Sequence, residues 1–152
     1  METALFTDAA TSLMTVVVVL AFTCMSYFAT EIRKPMNNAW IRIAVTLWID
    51  IKGGKYVVWL LYGHISDWDT SQVTDMSKLF HSYDKFNEDI SRWNVANVTT
   101  MQEMFCCATA FNQPLEQWNV ATVTTMEGMF SYARSFNQPL EQWNVANVTT
   151  ME

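Results

Sequence analysis

WNVANVTTMQEMFCCATAFNQPLEQ (93–117) is followed directly by WNVATVTTMEGMFSYARSFNQPLEQ (118–142), and the two stretches agree at 18 of 25 positions. Working outward, Trp68, Trp93, Trp118 and Trp143 stand 25 residues apart. Residues 68–92 are a diverged copy of the unit, and 143–152 begin a fourth. Self-similarity at a fixed spacing is the signature of a stacked repeat architecture, because a unit this small cannot bury its own apolar face alone.

The columns that repeat say what the unit builds. Met101, Met104, Phe105 and Ala108 fall at i, i+3, i+4 and i+7, the spacing of one face of a short helix. Met126, Met129, Phe130 and Ala133 copy it, as do Met76, Leu79, Phe80 and Tyr83. Thr100 and Glu103 fit a capping box at its start. The Phe111-Asn112-Gln113-Pro114 turn then leads into Leu115, Trp118 and Val120, a short extended piece. Stacked copies would pair these pieces as parallel strands. The predicted fold is thus an α/β repeat solenoid of short parallel strands and short helices, with a period in the leucine-rich-repeat range.

Ahead of the repeats, Trp40, Ile41, Ala44, Val45 and Trp48 form a helical stripe, Lys52-Gly53-Gly54-Lys55 reads as a turn, and Tyr56 to Tyr62 is a second short apolar element. Spanning a membrane with 40–62 would bury Asp50, Lys52 and Lys55, so this region is expected to be a helical cap. Residues 9–30 carry no charge and have the length of a transmembrane helix. A cleaved secretory signal is the rival reading. The acidic, Lys- and Arg-free start (Glu2, Asp8) and the long apolar run argue against it. The expected order is a tail (1–8), a transmembrane helix or uncleaved signal anchor (9–30), a linker (31–37) and the helical cap (38–67). Three full repeats (68–92, 93–117, 118–142) and a truncated fourth (143–152) follow.

Composition removes several function classes. Nine basic against fifteen acidic residues leave a net charge of −6, with no basic footprint for nucleic acid. Three cysteines (Cys24, Cys106, Cys107) make neither a disulfide framework nor a zinc set. Asp67, Asp69 and Asp75 hint at calcium, but an EF-hand loop would need Gly and Glu where Gln72 and Lys78 stand. No phosphate loop, dinucleotide fingerprint or metalloprotease motif is present. Catalysis needs unlike residues converging once, whereas this chain multiplies the same residues, so no catalytic residue, metal or cofactor is expected. The asparagines in register (Asn87, Asn112, Asn137; Asn94, Asn119, Asn144) are expected to satisfy backbone groups at turns. Asn97-Val98-Thr99 and Asn147-Val148-Thr149 fit the glycosylation pattern.

The repeated W-N-V-x-x-V-T-x-M-x-x-M-F-x-x-A-x-x-F-N-Q-P-L resembles that of BspA-like leucine-rich-repeat surface proteins, also described as a mycoplasma-type lipoprotein domain of unknown function. The resemblance covers about residues 38–152 and implies a right-handed solenoid on a cell surface that binds proteins or other macromolecules, without catalysis. Arg33, Lys34 and Arg42 after the apolar run point the repeats to the cytosol instead. Large domains translocate regardless of such charges, and the family role favours the exterior. Partner contacts are expected in columns that differ between copies. These are Gln72, Asn97 and Thr122; Lys78, Glu103 and Gly128; His81, Cys106 and Ser131; and Asp84, Thr109 and Arg134. Residues 63–152 hold eleven acids against four bases, so a basic partner is expected. Two alternatives stay open: a cytosol-facing, membrane-tethered scaffold, and an N-terminal fragment of a larger protein. The last repeat face, left open at Glu152, is a candidate for self-association.

Overall fold

The computed structural model describes residues 35–151. Two helices come first, α1 (Asn38–Ile49) and α2 (Gly54–Tyr62), followed by a single 3-10 turn at Ile65–Asp67. Asn37 caps α1, its Oδ1 accepting from the N–H groups of Ala39 and Trp40. The buried stripe of α1 is Ile41, Ala44, Val45 and Trp48, whereas Trp40 is 51% exposed and does not join it. Gly53, at φ +85°, turns the chain into α2. At Gly54 a Cβ would lie 2.4 Å from the Leu47 carbonyl oxygen, so only glycine lets the two helices approach this closely.

From Trp68 onward the structure departs from the expected strands and helices. Among the described residues there is no strand and no sheet. Successive copies meet in isolated parallel bridges, Asp75 to Thr100 to Thr125 to Thr150. The expected helix over Thr100 to Ala108 is a staircase of turns, so the strand-and-helix solenoid does not form.

Backbone hydrogen bonding gives the reason. The N–H groups of Met101, Glu103, Phe105 and Cys107 donate to the carbonyls of Thr125, Glu127, Met129 and Ser131, one copy further on. The carbonyls of Thr100, Gln102, Met104 and Cys106 accept from Met76, Lys78, Phe80 and Ser82, one copy back. The N–H groups left over, of Met104, Cys106 and Ala108, close turns onto Met101, Glu103 and Phe105. Every N–H from Met101 to Ala108 therefore has a partner, and the copies hold one another. A helix would keep all these bonds to itself. Left-handed residues recur four apart to make the staircase: Lys78 and Ser82, Glu103 and Cys107, Gly128 and Tyr132, with φ between 51° and 62°. The turn period buries the same i, i+3, i+4, i+7 side chains that a helix would. Nor is there a capping box, because the Glu103 N–H is committed to Glu127 and the Thr100 hydroxyl takes only the Gln102 N–H.

Apolar ladders fill the interior. Phe80, Phe105 and Phe130 stack at 5.5 and 5.6 Å, and Phe86, Phe111 and Phe136 at 5.7 and 5.9 Å. Trp68 stacks on Trp93 and Trp118 on Trp143. The indole N–H groups of Trp93, Trp118 and Trp143 donate to the carbonyls of Ile65, Ile90 and Leu115. No buried side-chain N or O among the described residues lacks a partner. Burial thins towards the last copy, where Trp143 and Val148 are half-buried.

The first repeat has no copy before it, and α1 supplies the missing partners. Asn38 Oδ1 accepts from the N–H groups of Thr74 and Asp75. The Arg42 guanidinium donates to the Ser77 carbonyl at 2.6 Å and the Asp75 carbonyl at 3.5 Å, and pairs with the Asp75 carboxylate at 3.0 Å. Lys55 pairs with Glu88 at 2.8 Å.

The expected single-pass membrane placement, and with it the membrane-bound, cell-surface localisation, also needs correction. No helix of the described residues is long and apolar enough to cross a membrane. At 12 and 9 residues, α1 and α2 reach about 18 and 14 Å, against a hydrocarbon core of about 30 Å. The run 9–30, on which that expectation rested, lies outside the described residues.

This packing and the ion pairs at its edge have four measurable consequences. Phe105 is fully buried between two stacked rings, so Phe105→Ala is expected to cost about 3–5 kcal/mol in denaturant unfolding. Phe130→Ala, at a half-buried site, should cost less. Gly128→Ala places a Cβ at φ +59° and 3.3 Å from Glu103 Cγ, and should cost about 1 kcal/mol. Burial raises the carboxyls of Asp75 and Glu88, but Ser77 and Arg42 at the first and Lys55, Trp48 and His64 at the second hold both below their usual range. Their pKa values are lower folded than unfolded, so this stability is complete above about pH 5 and is lost as pH falls below about 4. Asp75→Asn should flatten part of that acid limb in pH-dependent melting curves, and an unchanged limb would refute the assignment.

Candidate functional site

None of the four varying columns contributes a buried residue, so all of them border the surface. Their side chains do two different jobs. In the first column, Asn97 Nδ2 donates to the Ser71 carbonyl at 2.8 Å and the Thr122 hydroxyl to the Ala96 carbonyl at 2.8 Å, while Gln72 is exposed. In the fourth, the Thr109 hydroxyl donates to the Asp84 carbonyl at 3.0 Å, and Asp84 and Arg134 are exposed. Asn97 and Thr122, with Thr109, therefore help to join the copies.

The glycosylation asparagines are similarly engaged. Asn147 Nδ2 donates to the Ala121 carbonyl at 2.7 Å, as Asn97 does to Ser71, so the nitrogen that would carry a sugar ties one copy to the previous one. Asparagines elsewhere in register act on the backbone too. Asn87 Oδ1 accepts from the Asn112 N–H, and Asn112 Oδ1 from the Asn137 N–H. Asn94, Asn119 and Asn144 each accept from the N–H two residues on.

The middle two columns converge. Glu103 Oε2 lies 3.5 Å from Lys78 Nζ and 3.4 Å from His81 Nε2. His81 Nδ1 is 2.9 Å from the Ser82 hydroxyl. One position along, Cys106 Sγ lies 3.8 Å from Cys107 Sγ. The nitrogen, carboxylate and sulfur atoms of His81, Glu103 and Cys106 all lie within 4.8 Å of one another, and all three residues are half-buried. Gly128 stands beside Glu103 and adds no side chain. A cleft of about 210 Å³ runs alongside, bounded by Arg42, Thr46, Lys78, Leu79, His81 and Tyr83.

Burial pushes the Cys106 thiol up, Cys107 and the Glu103 carboxylate push the same way, and a hydrogen bond with Ser131 works against them. The net rise keeps the thiol protonated at neutral pH, which is the opposite of what a resting nucleophile needs. The turn staircase explains the convergence. Lys78 and Glu103 share one left-handed position on neighbouring copies, and His81 and Cys106 share another column three residues later. Residues 25 apart in sequence thus touch directly across the joint between copies, as well as sharing a column. Ser82 and Cys107 flank the cluster in a column of their own, where Tyr132 stands in the third copy.

No curated protein and no solved structure matches the chain. A family model does match, described as "Mycoplasma protein of unknown function, DUF285", over residues 57–152. That span takes in α2 beyond its first turn and every copy of the repeat, well over half of the sequence, and the chain belongs to this family.

Proposed function

We propose that the repeat region is an interaction module that binds a protein or another macromolecule, and that it does no catalysis. The observation that carries this reading is the placement of the columns: the repeated Trp, Met and Phe positions pack the interior, and the four varying polar columns named above hold no buried residue. The repeat motif, which resembles that of BspA-like leucine-rich-repeat proteins, supports the same role. Within residues 63–152, eleven acids against four bases favour a basic partner.

Binding of a basic polypeptide such as polylysine, followed at low and then raised salt, tests the reading. Asp84→Thr and Arg134→Asp each install a residue the repeats already carry in that column, since Thr109 and Asp84 stand there in other copies. The first is expected to weaken binding and the second to strengthen it, each by about twofold to fivefold. Unfolding stability should stay within about 0.5 kcal/mol of the starting protein. Affinity that ignores both substitutions, or that falls only in step with stability, would remove the support for an acidic recognition face.

A further inference from the structure

We propose that His81, Glu103 and Cys106 form a binding site for a divalent transition-metal ion of the zinc class. The three donors are of unlike type, and their ligand atoms already lie within 4.8 Å of one another. Zinc bonds of about 2.0–2.3 Å to nitrogen, oxygen and sulfur place neighbouring donors of a tetrahedron about 3.3–3.8 Å apart. His81 Nε2 and Glu103 Oε2, at 3.4 Å, stand at that edge length. Half-buried side chains can rotate to bring the sulfur in by the remaining distance. The imidazole is also oriented for the task. With the proton on Nδ1, the Ser82 hydroxyl accepts it at 2.9 Å and Nε2 presents its lone pair towards Glu103. Ligating histidines are usually held through the far nitrogen in this way.

The donor set selects the ion. Imidazole and thiolate favour zinc and its neighbours, whereas calcium and magnesium take oxygen ligands. Lys78 Nζ, 3.5 Å from Glu103, is the resident cation, and its side chain is 59% exposed, free to swing away when a divalent ion arrives. Among the described residues this donor set occurs only where the first two copies meet. In the third copy Gly128 and Ser131 occupy the corresponding positions, although the second and third copies agree at 18 of 25 residues. Bonding of the Cys106 sulfur to the ion releases the thiol proton to solvent.

Cobalt(II) titration of the full chain under reducing conditions tests the proposal through the sulfur-to-cobalt charge-transfer band. One equivalent should produce the band, and zinc should displace it. Cys106→Ser should abolish it, and His81→Ser and Glu103→Gly should each weaken binding by about tenfold or more. All three place residues the array already uses in those columns, Ser131 and Gly128, so the fold should persist, and thermal melting checks that it does. Cys107→Ser should retain the band. A missing band, a band that survives Cys106→Ser, loss of the band in Cys107→Ser, or unchanged affinity in His81→Ser or Glu103→Gly would each overturn the assignment.

Discussion

The inter-copy backbone hydrogen bond, made by every second residue of the staircase, is the constraint on which everything else here depends. Met101, Glu103, Phe105 and Cys107 donate forward, and the carbonyls between them accept from behind. Because peptide groups cannot be left unpaired in the interior, each copy needs a neighbour on both sides, 25 residues away in sequence. That requirement fixes the register of the aromatic ladders. Phe105 lies between Phe80 and Phe130 because the backbone on either side of it is bonded to those same copies.

A stack held together this way has a difficulty at its first copy, where carbonyls and N–H groups face no predecessor. The helix α1 resolves it by chemistry that differs from the repeats. Asn38 offers the acceptor that a preceding Thr74-like carbonyl offers elsewhere, and Arg42 offers the donors. Arginine suits the place since its planar fork can serve two carbonyls and a carboxylate at once. The same residue counts, in a reading of flanking charges, as evidence about membrane orientation. Its bonds to Asp75 and Ser77 give it a structural reason to exist, so it carries little information about topology.

Much of this was legible in the chain itself. The period, the copies and the apolar columns all follow from the spacing of Trp68, Trp93, Trp118 and Trp143 and of the Met and Phe residues. What misled was the step from periodicity to backbone conformation. A helix and a staircase of turns bury the same i, i+3, i+4, i+7 positions, and only the left-handed residues distinguish them. Gly128 is a visible sign of one, but Glu103 and Lys78 hold the same conformation without glycine, so the signal is present in a single copy out of three. The strands failed for a related reason. Hydrogen bonds are distributed along the turns, leaving only one bridge per copy, at Asp75, Thr100, Thr125 and Thr150.

The same geometry explains which surface residues are available for function. A polar side chain on a stack faces a choice between bonding the adjacent copy and facing outward, and variation alone does not reveal which it does. Asn97, Thr109 and Thr122 vary between copies yet bond to neighbouring carbonyls, so replacing them alters the joint between copies as well as the surface. Lys78, His81, Glu103 and Cys106 differ in kind, because their side chains meet one another across the joint while the backbone beneath them is already satisfied. Chemistry can change in those two columns without disturbing the ladder. The third copy shows it: Gly128 and Ser131 sit on the same scaffold with none of the same donors. A scaffold whose cohesion resides in its backbone thus leaves a small set of side chains free to diverge, and that set is where this chain gathers its imidazole, carboxylate and thiol.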